Sequence, residues 1–169
     1  MATETTVKMK KIDSDTHFNL TVDWQDLRDL LPRQGLDTAE KMIWTEAERY
    51  VNAQGIRAGF GLGPTRPGSN GGAPQGAPNP EQDAEARLLE MDKLGFDMQV
   101  LITQTAMPSP LRPGSQKPLW IRKALAQVYN NAAAKLQNQY PDRYIGMITV
   151  PWDDIDASVN ELERAARLG

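Results

Sequence analysis

An alternation of short apolar runs with helical stretches limits the folds open to this chain more than any other feature. Runs typical of strands lie at about 10–15, 98–103 and 144–150. Helices are predicted, from apolar residues at helical spacing and from capping residues, at about 23–31, 38–53, 81–94, 119–140 and 153–166. Strands separated by helices favour an α/β fold with a parallel sheet covered by those helices. The alternation by itself allows either an open doubly wound sheet or part of a barrel.

Three polar side chains occupy alternate positions of the first strand. Asp13, Asp15 and His17 follow an apolar residue in the run 11–18. If the run is extended, all three side chains lie on one face of the strand. Two carboxylates and an imidazole are costly to place together unless something binds them, and a divalent metal ion does so. The alternative is an ordinary polar strand end, in which Asp13 caps a neighbour and His17 is half-exposed.

Two segments rich in glycine or proline interrupt the alternation. Residues 55–80 hold eight glycines and five prolines, a density at which neither a helix nor a strand persists. A second, proline-rich loop covers about 103–117. Both loops come between a strand and the next one, so we expect them over the carboxyl-terminal edge of the sheet. Barrel enzymes carry their chemistry at that edge.

Composition excludes several classes of function. The net charge is −3 and there is no basic stripe, so nucleic acid is not an expected partner. The absence of cysteine excludes disulfides and thiolate zinc sites. There is no run of about 18 apolar residues, so no membrane span is expected. The first residues lack the apolar core of a secretory signal, and a cytoplasmic location is the default expectation.

The polar run 11–18 resembles the first barrel strand of the amidohydrolase-related (amidohydrolase 2) family, to which aminocarboxymuconate semialdehyde decarboxylase belongs. That family opens with an apolar residue followed by Asp-x-His-x-His. Asp13 matches the leading Asp and His17 matches the second His. Asp15 stands where the family has its first His, which is a departure from the pattern.

Further stretches resemble later landmarks of the same family. They lie at 91–100, 140–144 and 161–165. The resemblance implies a TIM-like (β/α)8 barrel, which needs roughly 250 residues. With 169 residues the chain would form one incomplete barrel domain made of the first three βα units. We therefore expect either a fragment or the smaller subunit of an enzyme whose larger catalytic subunit carries the rest of the barrel.

The resemblance also implies a metal site. A divalent ion (Zn, Mn or Fe) would be bound by Asp15 and His17, while Asp13 would support the ligands from behind. The family's other ligands and its acid/base residue come from later strands, mostly as His and Asp. This chain has one histidine in total. The site would therefore be completed by the partner chain, and no catalytic residue is predicted here.

The implied activity is metal-dependent hydrolysis of a small organic substrate, aromatic ones included. Two alternatives stay open, which are non-oxidative decarboxylation in the same family and a non-catalytic subunit that only completes a larger partner's barrel. Arg112, Lys117 and Trp120 border the second loop, where they could contact an anionic aromatic substrate. Alternatively, Arg112 and Lys117 are solvated loop residues and Trp120 anchors the start of the helix by packing.

Overall fold

The computed structural model describes residues 9–18, 24–39, 42, 83–103 and 117–169, without the side chains of Asp15, His17, Trp24 and Thr103. The predicted loop at 55–80, most of the loop at 103–117 and most of the helix predicted at 38–53 lie outside these residues. In the ranges that the structure describes, no helix has the length and apolar character needed to cross a membrane.

The described elements follow the predicted alternation. In chain order they are β1 (Ile12–Phe18), α1 (Trp24–Leu30), a 3-10 helix (Arg33–Gly35), α2 (Ala84–Leu94), β2 (Met98–Thr103), α3 (Leu119–Gln139), β3 (Tyr144–Gly146) and α4 (Ile155–Ala166). Residues 36–39 are also helical. The three strands form one parallel sheet in the order β1-β2-β3. The predicted α/β class and the parallel sheet are thus confirmed.

Capping chemistry explains where two of the helices begin and end. The carboxylate of Asp83 accepts hydrogen bonds from the backbone N–H groups of Glu85 and Ala86 and begins α2. Gly95 ends α2 in the left-handed region, at φ 75°, where a side chain would be strained. Asp154 caps α4 by accepting from the N–H of Ala157. These caps set both ends of α2, between β1 and β2, and the beginning of α4, after β3.

The third strand is shorter than predicted. It covers Tyr144–Gly146, whereas the apolar run continues to residue 150. The reason lies in α3, because the Asn130 side chain donates to the carbonyl of Thr149 and accepts from its N–H, at 2.8 Å each. An amide side chain thus takes the backbone groups that a longer strand would offer to a neighbour.

One face of the sheet is covered by helices. Phe18, Leu101 and Tyr144 project from the three strands into a buried cluster with Met91 of α2 and Ala133 of α3. A second cluster joins α1 and the residues after it to α3, and includes the buried side chains of Leu27, Leu31, Ile121, Leu125 and Val128. The core of the described part therefore lies between this sheet face and the helices.

The opposite face carries apolar side chains that belong to neither cluster. Ile12 and Ile145 on this face are exposed, at 49% and 36%, while Val100 and Ile102 are partly buried. Parallel strands are normally covered on both sides. Among the described residues, no helical side chain joins these four in a core cluster.

Candidate functional site

The predicted metal ligands lie on the carboxyl-terminal half of β1. Backbone pairing places His17 beside Ile102 and Phe18 beside Thr103 in β2. This is the end of the sheet at which barrel enzymes bind substrates. The side chains of Asp15 and His17 lie outside the described residues, so metal ligation by these two stays a prediction.

A register shift in β1 separates Asp13 from the two later residues. From Asp13 to Thr16 the strand advances three residues, while β2 advances two, from Gln99 to Leu101. One extra residue in a strand breaks the alternation of faces. Asp13 lies on the same face as Thr16, to which it is hydrogen-bonded. The strict alternation expected over 11–18 is therefore interrupted between Asp13 and Thr16, and the faces of the Asp15 and His17 side chains stay a prediction.

The Asp13 carboxylate is held in a polar network that crosses from the sheet to a helix. Its Oδ2 accepts from Thr16 Oγ1 at 2.8 Å and from Gln99 Nε2 at 3.1 Å. Gln99 in turn accepts from Arg87 Nε at 2.9 Å, and Arg87 pairs with Glu90 at 3.3 Å. Thr16 and Gln99 are buried. The network anchors β1 on both sides of Asp15, and the supporting role predicted for Asp13 toward a metal ligand stays a prediction.

The residues between α2 and β2, Gly95 to Asp97, hold the start of β1. The Asp97 carboxylate accepts from the Lys11 N–H at 2.8 Å, and the Lys11 carbonyl accepts from the N–H groups of Asp97 and Met98 at 2.9 and 3.2 Å. Arg143 Nε donates to the Asp97 carbonyl at 3.0 Å. The stretch noted in the sequence for its family resemblance thus ties the beginnings of all three strands together.

The described surroundings of Trp120 are those of a packing residue. A Cβ placed on Gly35 would lie 2.8 Å from Cη2 of the indole, so the ring fills the space that the glycine leaves open. Trp120 is partly buried against the cluster between α1 and α3. Arg112 lies outside the described residues. Contact of these two residues with a substrate stays a prediction, and the packing of Trp120 is what the structure adds.

A buried arginine connects the segment before α3 to the segment after β3, at the carboxyl-terminal edge of the sheet. Arg122 is 8% exposed, donates from Nε to the Lys117 carbonyl at 3.0 Å and forms an ion pair with Asp153. Lys117 precedes α3 and Asp153 follows β3, so the group joins the two βα connections. Sequence reasoning noted Lys117 but missed the pair of Arg122 with Asp153. The sequence did hold a signal for this pair, because Arg122 lies next to Ile121 on the buried side of the predicted helix.

Burial sets the protonation of Lys117. Lys117 is a buried residue, and desolvation lowers the pKa of its amine from 10.5 to about 8. A neutral amine at mildly alkaline pH is therefore expected at this edge of the sheet.

Stability should rise with pH in the window set by that shift. Between about pH 8 and 10 the unfolded chain still binds the Lys117 proton that the native chain has released, so the free energy of unfolding increases, by up to about 1.4 kcal/mol per pH unit. Lys117→Met should flatten this rise in urea unfolding curves, whereas Lys123→Met, at an exposed position of α3, should leave it unchanged. An equal rise in both variants would contradict the assignment.

The described residues alone do not supply a complete metal site. Among them, no three His, Asp or Glu side chains are grouped to hold an ion. The Asp13 carboxylate is already bound by Thr16 and Gln99. Ligation of an ion by Asp15 and His17, with further donors from elsewhere, stays a prediction.

No protein-family model matches the chain. Among solved structures, the chain is similar to 5-carboxyvanillate decarboxylase from Novosphingobium aromaticivorans, crystallised with manganese and 4-hydroxy-3-methoxy-5-nitrobenzoic acid. The identity is 24% and the TM-score is 0.55, and the match covers 94% of this chain and 38% of that enzyme. This chain thus spans well under half the length of the decarboxylase. At this identity the similarity shows a shared fold.

Proposed function

We propose that this chain is the smaller subunit, or the amino-terminal part, of a metal-dependent enzyme of the amidohydrolase superfamily, completed as a barrel by a larger catalytic chain. The observation that carries the proposal is the match to the decarboxylase over 94% of this chain and 38% of that one. The order β1-β2-β3 in one parallel sheet supports it, because a barrel is built by adding parallel strands in sequence order.

Non-oxidative decarboxylation of a small aromatic acid is the activity we place first. The similar structure is that of a decarboxylase complexed with manganese and a substituted benzoic acid, which favours this reaction over hydrolysis. Metal-dependent hydrolysis, which the resemblance of the first strand suggested, is the second candidate. Assembled enzyme that releases CO₂ from an aromatic carboxylate such as 5-carboxyvanillate would support the first candidate over the second.

The residues of β1 would have separate tasks in such a site. His17 would bind the ion as a neutral imidazole and Asp15 as a carboxylate, and a carboxylate in place of a second imidazole favours harder ions such as Mn²⁺. A divalent ion supplies charge stabilisation at a substrate oxygen or lowers the pKa of water. Asp13, Gln99 and Arg87 keep the strand in register so that the two donors start from a fixed backbone.

Metal content tests the proposal directly. The chain, purified from its native source with whatever it binds, should contain about one divalent ion per complex by mass-spectrometric metal analysis. The double variant Asp15→Ala, His17→Ala should lose about 90% or more of that metal, because one strand supplies two of the ligands. Asp29→Ala removes an exposed carboxylate of α1 and serves as the matched control.

Two results would overturn the metal assignment. Metal content that is unchanged in the double variant would remove Asp15 and His17 from the site. A stable, metal-free monomer would mean that β1 ends in an ordinary polar segment and that the similarity reflects fold alone.

A further inference from the structure

The large apolar side chains of α4 point away from the core. Ile155, Val159 and Leu162 lie at helical spacing on α4 and are 78%, 49% and 51% exposed, and Trp152, in the turn before the helix, is 64% exposed. We call these four residues the α4 stripe. Single exposed apolar residues are ordinary, but a contiguous row of large ones marks an interaction surface.

The buried side of α4 makes the stripe more informative. The residues that α4 buries are Ala157, Glu161 and Ala165, two small side chains and one carboxylate. An amphipathic helix with a single partner directs its largest apolar side chains toward that partner. Here α4 packs its small side chains against α3 and leaves its large apolar side chains exposed. The sequence of α4 is therefore typical of a helix that packs against a second element in addition to α3.

The neighbouring edge of the sheet is already protected. The N–H groups of Tyr144 and Gly146 face away from β2, and they donate to the Tyr140 carbonyl at 3.1 Å and to Gln137 Oε1 at 2.8 Å. Capped donors make an edge less prone to strand addition. The α4 stripe is therefore the main feature of this end of the described fold that calls for a covering partner.

The charged residues beside the α4 stripe indicate which kind of helix could pack on it. Asp156 and Glu163 are exposed and lie one helical position around from the stripe, seven residues apart on the same side. In a second copy packed antiparallel, Asp156 would face Glu163 of the other copy, and like charges at such positions repel. Arg167 lies a turn beyond, after the end of α4. The acidic border instead matches a helix whose apolar stripe is bordered by lysine or arginine.

We propose that the α4 stripe docks an amphipathic helix with basic borders, carried by a separate, larger chain. The inference rests on the proposed function, since that chain is the one that completes the barrel. It adds the contact surface on this chain and the chemistry of the partner's helix.

A photo-crosslinking amino acid at position 159, in the full chain and in its native host, tests the inference. We expect a covalent product with a larger chain, joined at a peptide whose apolar residues are bordered by Lys or Arg. The same crosslinker at position 123, on the exposed side of α3, should give about tenfold less product. Asp156→Lys with Glu163→Lys should reduce the product from position 159 about tenfold, because the charge match is reversed.

Three outcomes would overturn the inference. A product of twice the chain's mass would make a second copy the occupant. A larger chain joined through a peptide without basic borders would refute the charge match. Equal yields at positions 159 and 123, with native circular dichroism in both variants, would mean that nothing docks on the stripe. If position 159 crosslinks to a basic-bordered helix in a complex that holds no metal, this inference stands and the proposed function fails. If the complex holds metal but position 159 does not crosslink, the proposed function stands and this inference fails.

Discussion

Tyr144→Ala should lower the free energy of unfolding by about 4 kcal/mol. Tyr144 is fully buried at the centre of the cluster that joins the sheet to the helices. Its ring centroid lies 5.8 Å from that of Tyr140, edge to face, and 6.5 Å from that of Phe18. Its hydroxyl donates to the Ala84 carbonyl at 2.7 Å and so connects β3 to the first turn of α2. The alanine leaves a cavity in the core and removes the hydroxyl's bond to α2.

Tyr144→Phe separates the two contributions. The phenylalanine keeps the packing and loses only the hydroxyl bond, so it should cost about 1 kcal/mol. Burial raises the pKa of Tyr144 to about 12, so the hydroxyl remains a donor throughout neutral and mildly alkaline pH. Urea unfolding followed by circular dichroism measures both variants. Equal losses for alanine and phenylalanine would mean that the ring itself contributes little.

Glu161→Ala should cost about 3 kcal/mol. The carboxylate is 5% exposed and accepts from two Arg164 nitrogens, each at 2.8 Å, and from Asn130 Nδ2 at 2.7 Å. The same carboxylate raises the pKa of the Arg164 guanidinium. Removing one member of a buried ion pair leaves its partner desolvated, which costs about 3–5 kcal/mol. The lower end applies because Arg164 also reaches solvent and the Asn131 side chain.

Glu163→Ala is the matched control for this change. Glu163 lies on the same helix, is exposed, and its removal should change stability by no more than about 0.5 kcal/mol. Glu161→Gln should fall between the two, because the amide keeps a hydrogen-bonding shape and loses the charge. If Glu161→Ala matched Glu163→Ala in denaturant midpoint, the buried network would have no role in joining α3 to α4.

The parts of the fold that depend on local chemistry were predictable from the sequence. Three apolar runs separated by helical periodicity give a parallel sheet, and Gly95 and Asp154 mark helix ends through their own side-chain and backbone preferences. The helix boundaries of α3 and α4 followed within a few residues for the same reason. These signals act over a few positions, so they are visible in the sequence.

The parts that depend on distant residues were not predictable. The third strand ends early because Asn130, nineteen residues before Thr149, takes both backbone groups of that residue. The extra residue between Asp13 and Thr16 is set by pairing with β2, which no pattern within 11–18 records. The packing of Trp120 against Gly35 likewise depends on a residue 85 positions away in the sequence, while its contact with a substrate stays a prediction. For the metal site, the sequence names Asp15 and His17, whose side chains lie outside the described residues.

The bond from Gly146 to Gln137 has a kinetic consequence for assembly. An edge closed by proline, by a bulge or by another strand opens only when backbone rearranges. At Gly146 this edge is closed by a side chain, which rotates away within nanoseconds once its hydrogen bond breaks, at a net cost of about 1 kcal/mol. The Gly146 donor is thereby shielded from pairing with another strand, yet freeing it takes one rotamer change, whereas the Tyr144 donor is bound to the backbone carbonyl of Tyr140. Of the two capped donors, Gly146 is therefore the one that an added strand could reach without a change in the backbone.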